Sequence, residues 1–330
     1  LKEGERVLIL NDYPARKDWE SMGSSRLEVI VERSLLAKAV YEIGREAFYN
    51  NEFSFRVYSL TGMHGAEPPS YVADLMKDAD VVIAITTYSL SHTNAREKAT
   101  SSGVRVASMP GFTAHMFEPG GPMAADYLWI KDTSERVAEW LKGRKEVHIT
   151  NEFGTNIYFS IEGRAWHVDT GLYTKPGEWG NLPAGEVYIA PLEGTANGVF
   201  VAPAGWYPNL KEDMKFYVRD GRVHKIEGGG EVGDNFRNAL GLEPRNDDDA
   251  HVSRRNIAEL GIGTNPNAKR ADNVLEAEKI LGTVHIAIGD NSHFGGRNPS
   301  DLHEDFVQPK PTVIVDGEVF MKDGKITILD

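Results

Sequence analysis

The sequence predicts a two-domain α/β protein, with an N-terminal doubly wound, mostly parallel sheet over residues 1–143 and a C-terminal mixed α+β domain over residues 144–330. Three observations predict it. The 330 residues exceed the size at which one hydrophobic core usually keeps growing. Up to Gly143, apolar runs of strand length alternate with segments of helical period, the pattern of a parallel sheet wound by helices. Beyond it the texture changes to alternating, aromatic-rich strands broken by glycine, which suits antiparallel pairing.

Taken in order, Arg6 to Leu10 is a compact apolar run that stops at Asn11-Asp12, a buried strand with a polar end. Val29, Leu36, Ala39, Val40 and Ile43 recur at helical spacing, so a helix follows. Phe55 to Leu60 reads as a second strand, Tyr71 to Met76 as a short helix, and Asp80 to Thr86 as a third strand buried on both faces. Thr93 to Ser101 is a helix, Arg105 to Met109 a fourth strand, and Thr133 to Lys142 an amphipathic helix. In such a Rossmann-like unit the functional loops follow the carboxyl ends of the strands.

The second half reads as strands at Glu146 to Thr150, Asn156 to Ile161, Val187 to Ala190, Val199 to Pro203 and Lys215 to Arg219. Helices are expected at Asp234 to Leu240, Arg254 to Leu260 and Ala271 to Leu281. The tail alternates Thr312 to Val315, Glu318 to Met321 and Lys325 to Leu329 around Asp316-Gly317 and Asp323-Gly324, a hairpin pattern.

Composition narrows the chemistry. A hydrophobic content of 41% supports real cores, and a net charge of −13 argues against non-specific nucleic-acid binding, which needs a basic footprint. No run approaches the roughly 20 apolar residues of a membrane span, and Leu1-Lys2-Glu3-Gly4-Glu5 lacks a signal-peptide profile, so a cytoplasmic protein is expected. With no cysteine, thiol catalysis and thiolate metal sites are excluded, leaving His, Asp and Glu as the strong ligands.

Those residue types gather between Ala258 and Phe306, each beside a short apolar run where an uncompensated polar group is costly to bury. A divalent cation is the simplest account. In Leu302-His303-Glu304-Asp305-Phe306 an extended backbone projects His303 and Asp305 to one side and Glu304 to the other. His285 stands in the apolar strand Val-His-Ile-Ala-Ile-Gly, the setting of a ligand or of a hydrogen-bonded core histidine. Glu259 ends the expected helix, where a carboxylate is unfavourable without a cation. Glu186 follows the turn Asn181-Leu-Pro-Ala-Gly at a strand start, and His92 follows the third strand of the parallel sheet. Glu227-Gly-Gly-Gly-Glu231 lacks the spacing and strand context of a dinucleotide fingerprint, and no nucleophile elbow, P-loop or His-Glu-x-x-His occurs.

Together these pieces resemble the aminopeptidase T and aminopeptidase S family of metallopeptidases and, more distantly, 2,5-dihydroxypyridine dioxygenase. The resemblance runs from Gly4-Glu-Arg-Val-Leu8 through Ser91-His92-Thr93, Pro110-Gly111, Gly154-Thr155-Asn156 and Asn181-Leu-Pro-Ala-Gly-Glu186 to the pieces between Ala258 and Phe306. It implies one or two divalent ions (zinc, cobalt or manganese) held by Glu186, Glu259, His285, His303 and Asp305, with Glu259 the leading base. A homodimer acting on small peptides or related amides is implied with them. The peptidases carry a tyrosine shortly after the strand histidine; here Asp290-Asn-Ser-His293-Phe has none, and His293 is the candidate to replace it. The dioxygenase resemblance implies instead a single Fe(II) ion, a small aromatic substrate and a histidine base matching His92. The dioxygenase, however, carries a histidine where this chain has Glu259 and no acid matching Glu186, so an aminopeptidase-like hydrolase is the expected function and the dioxygenase the alternative. A third reading is a metal-containing binding protein without catalysis.

Overall fold

The computed structural model describes residues 1–329, which divide into two compact units, Leu1–Met123 with Gly171–Pro183 and Ala124–Thr170 with the chain from Ala184 onward. The first begins with β1 (Arg6–Tyr13), a short α1 (Arg16–Ser21), α2 (Ser24–Ala47), β2 (Glu52–Ser59), α3 (Ser70–Lys77), β3 (Val81–Thr86), α4 (Asn94–Ser101) and β4 (Arg105–Pro110). The strands pair in parallel in the order β2-β1-β3-β4. Helices cross over between them because parallel strands cannot be joined by a tight turn. β1, β3 and β4 are buried along most of their length, which the apolar runs of β1 and β3 anticipate. At the carboxyl end of β1 the buried Asp12 carboxylate accepts from the backbone N–H groups of Thr87 (2.6 Å) and Tyr88 (3.1 Å), fixing the loop after β3. Burial pushes the Asp12 carboxyl above its usual range against those hydrogen bonds.

The second unit opens with α5 (Tyr127–Leu141), β5 (Glu146–Thr150), β6 (Asn156–Ser160) and β7 (His167–Asp169). The chain then returns to the first unit for β8 (Trp179–Asn181), which adds in parallel to the β4 edge with Val106 opposite Trp179 and Ser108 opposite Asn181. Back in the second unit come β9 (Glu186–Ile189), β10 (Asn197–Ala202), β11 (Met214–Arg219), β12 (Arg222–Gly228), α6 (Gly230–Ala239), α7 (Asp249–Arg254), β13 (Ile257–Gly263), α8 (Val274–Ala277), β14 (Val284–Gly289), β15 (His303–Gln308), β16 (Thr312–Val315), β17 (Glu318–Lys322) and β18 (Lys325–Ile326). They form two antiparallel sheets, ordered β12-β11-β10-β6-β5-β16-β17-β18 and β15-β14-β13-β9-β7. Aromatic packing joins the sheets: Phe306 of β15 lies 4.6 Å from Phe216 of β11 and 6.0 Å from Phe200 of β10, centroid to centroid.

The fold class is as the sequence predicts, and three local expectations are corrected. The division does not fall at Gly143, because α5 buries Ile130, Val137 and Leu141 in the second unit and its Ser134 hydroxyl lies 2.7 Å from that of Thr264. The helix expected over Arg254 to Leu260 stops at Arg254, and Ile257–Gly263 is a strand, since Glu-Leu-Gly-Ile-Gly alternates with period two and two glycines disfavour a helix. Of Ala271 to Leu281 only Val274–Ala277 is helical, started by the Asn273 side chain accepting from Glu276 N–H. Among the described residues no helix is long and apolar enough to cross a membrane.

Candidate metal centre

Strand alternation builds the site. On one face of β13 stand Glu259, Gly261 and Gly263, while Leu260 and Ile262 face the other way; β14 places His285, Ala287 and Gly289 on the polar face and Ile286 and Ile288 opposite. In β15 the polar face carries His303 and Asp305, and Phe306 turns into the aromatic core. Register then aligns the donors. Ala287 lies between Glu259 and Asp305, Gly261 opposite His285, Gly289 opposite His303, and Glu186 of β9 opposite Gly263. The small residues make room: a Cβ on Gly261 would overlap the His285 ring.

Five sequence-predicted ligands therefore converge. His285 Nε2 is 3.1 Å from Glu259 Oε1, 3.5 Å from Glu186 Oε2 and 3.9 Å from Asp305 Oδ1. His303 Nε2 is 3.6 Å from both Glu259 Oε2 and Asp305 Oδ1. The His303 Nδ1–H donates to the Asp290 carbonyl at 2.8 Å, which assigns Nε2 as the donor atom facing the carboxylates. Asp305, at 16% side-chain exposure against 1–7% for the other four, is the side from which the cluster is reached.

The electrostatics follow from burial of imidazoles among carboxylates. Burial alone would lower the His285 and His303 pKa values, but Glu259, Asp305 and, at His285, Glu186 outweigh it and hold them at about 9 and about 10. Burial raises Glu259 above the carboxylate range, against its hydrogen bond with His285. Sequence reasoning missed Glu278 and Lys279, whose charges look like the polar face of the helix expected there. Lys279 is fully buried, with Nζ 2.6 Å from Glu186 Oε1 and 2.7 Å from Glu278 Oε1. Glu278 is pushed up to about 8 by burial, with Lys279 opposing. The only signal was a lysine directly followed by the apolar turn Ile-Leu-Gly.

His293 is not among the converging donors. Its Nδ1 pairs with Asp290 Oδ2 at 2.7 Å, and Asp290 also accepts from the Ser292 hydroxyl at 2.7 Å while its carbonyl holds His303. His92 lies in the first unit, on the loop after β3, edge-on to Trp179 with ring centroids 6.2 Å apart. Next to it Thr93 caps α4, accepting from Arg96 N–H, and the Arg96 guanidinium lies 3.7 Å from the Trp179 ring centroid.

The donor set fits a divalent ion. Donors that share one ion at about 2.1 Å stand roughly 3–4 Å apart, as these do. The glycine-lined seat of His285 and the Nδ1 tether of His303 hold two imidazoles in ligand orientation beside buried carboxylates. Two imidazoles with carboxylate oxygens suit iron, manganese, cobalt or zinc.

Residues 1–328 match the family described as 2,5-dihydroxypyridine 5,6-dioxygenase. The 2,5-dihydroxypyridine 5,6-dioxygenase of Pseudomonas putida KT2440 is 23% identical over 285 residues, 81% of this chain and 75% of that protein. The solved structure of 2,5-dihydroxypyridine dioxygenase from the same organism aligns with a TM-score of 0.71 at 16% identity, covering 98% of this chain and 91% of that one. Wild-type AmpT from Thermus thermophilus aligns with a TM-score of 0.59 at 15% identity, covering 99% and 95%. At these identities the two structures speak to fold alone.

Proposed function

The chain belongs to the 2,5-dihydroxypyridine 5,6-dioxygenase family, and from that premise we propose a mononuclear Fe(II) dioxygenase that opens a small hydroxylated nitrogen heteroaromatic ring. The observation that carries the proposal is the family match across 1–328. The second unit's donor set supports it, since two histidines beside a carboxylate are the ligand type of non-haem ferrous oxygenases.

Glu259, His285, His303 and Asp305 would hold the ion. When bound, it supplies the redox chemistry that lets dioxygen react with a closed-shell ring. The chain's own residues orient and move protons. Asp290 fixes His303 through its carbonyl and His293 Nδ1 through its carboxylate. In this reading His293 takes or returns the proton of a ring hydroxyl.

The test is oxygen uptake by anaerobically Fe(II)-loaded protein given 2,5-dihydroxypyridine and related dihydroxylated azines. One O2 consumed per ring, without added reductant and lost in His303→Ala, is the expected result. A second reading, an aminopeptidase-like hydrolase, is favoured by the carboxylates at Glu186 and Glu259. Release of N-terminal residues from peptides by zinc-, cobalt- or manganese-loaded protein, with no oxygen uptake, would establish it instead.

A further inference from the structure

The acidic cluster holds more carboxyl groups than one divalent ion beside two imidazoles needs. Glu186, Glu259, Glu278 and Asp305 all lie within reach of His285, in two groups of possible ligands, Glu186 with Glu259 and Glu278 with Asp305. Each group has one member whose oxygen is already engaged. The Lys279 ammonium sits 2.6 Å from Glu186 Oε1 and 2.7 Å from Glu278 Oε1. It is completely buried, so no water replaces those contacts. The backbone that carries it is held as well: the Lys279 carbonyl accepts from Asn265 N–H at 2.8 Å and the Lys279 N–H donates to the Glu276 carbonyl at 3.1 Å. The Lys279 backbone is thereby fixed between the segment after β13 and α8.

We propose that the Lys279 ammonium is a built-in cation that occupies one of two cation positions in this cluster, so that the site accepts a single exchangeable divalent ion. On this assignment Glu186 and Glu278 serve the lysine, and Glu259, His285, His303 and Asp305 serve the metal. A second divalent ion on Glu186 or Glu278 would stand against a fixed positive charge that has no solvent to screen it. The inference rests on the reading that the cluster binds metal, and it restricts the number of ions whichever reaction that metal supports.

Metal stoichiometry tests it. The full chain is stripped with chelator, dialysed against excess Mn(II) or Zn(II), or Fe(II) without oxygen, and its metal counted by elemental analysis. One ion per chain is expected for the wild type and two for Lys279→Met, which removes the charge but keeps the side chain's length. Glu186→Gln should retain one ion with affinity reduced by about tenfold, as for a residue outside the ligand set, whereas Glu259→Gln and His303→Ala retain none. Two ions in the wild type, one in a folded Lys279→Met, or loss of the ion in Glu186→Gln would each overturn the proposal. Should Lys279→Met fail to fold, the wild-type count and Glu186→Gln still decide. One ion without oxygen uptake would defeat the dioxygenase reading and leave the lysine's role standing, whereas no ion in the wild type would overturn both.

Discussion

Gly261 controls a ring it does not hydrogen-bond to. Because a methyl group there would overlap the His285 imidazole, Gly261→Ala must displace the ring or part β13 from β14. The expected result is a metal affinity at least about tenfold weaker, as when a supporting group is lost, with an unfolding free energy lower by about 1–3 kcal/mol. Titration calorimetry and urea unfolding measure the two. At His293 the expectation differs: His293→Gln leaves metal content intact and lowers kcat by about a hundredfold. Loss of metal with the activity would make the Asp290–His293 pair a support for His303 only. At this scale much of the candidate site was legible. Glu186, His285, His303 and Asp305 were each readable as polar groups at or within apolar strands, and period-two projection explains their convergence. Lys279 and Glu278 were not, because a Glu-Ala-Glu-Lys run reads as a solvated helix face until the chain's path buries it.

At the scale of elements, β13 shows why one part of the site was misjudged. A helix ends at Arg254 and a strand begins at Ile257, too short a gap for periodicity to separate, so Glu259 read as a helix terminus rather than a mid-strand donor. The segment between β14 and β15, which carries His293, lacks regular structure apart from one short turn and depends on Glu193. That carboxylate accepts from the Arg297 N–H at 2.7 Å and the Asn291 side chain at 2.9 Å and pairs with Arg164. Burial would raise its pKa, but these partners outweigh burial and hold it below the usual range. A carboxylate depressed on folding contributes its full stability above its unfolded pKa of about 4.3 and loses it as pH falls through the lower folded value. Glu193→Gln is therefore expected to lower stability by about 1–2 kcal/mol at pH 7, with the gap to wild type closing below about pH 4. A gap that persists in acid would mean the glutamate acts through shape rather than charge. Urea midpoints across pH decide.

At the scale of the whole molecule, every proposed metal ligand belongs to the second unit. Free metal at 100 times its dissociation constant adds about 2.7 kcal/mol to a folded state that alone binds it. Hydrogen exchange should place that gain: amides of β13, β14 and β15 slow on loading, while those of β1, β3 and β4 do not. Equal slowing in both would mean the units open as one. The alternation of strands and helices made the parallel sheet readable, but the return of Gly171–Pro183 to it was not, since a three-residue strand among turns carries no period. That return also bears on how the protein is made. On the ribosome β4 emerges early, yet its edge partner β8 arrives only after α5 and β5 to β7 of the other unit have been synthesised. For that interval the nascent sheet presents an unpaired edge, the kind of surface that attracts chaperones and misplaced strands. No single cut in the gene yields either unit whole, so neither can be inherited, swapped or expressed as one continuous fragment.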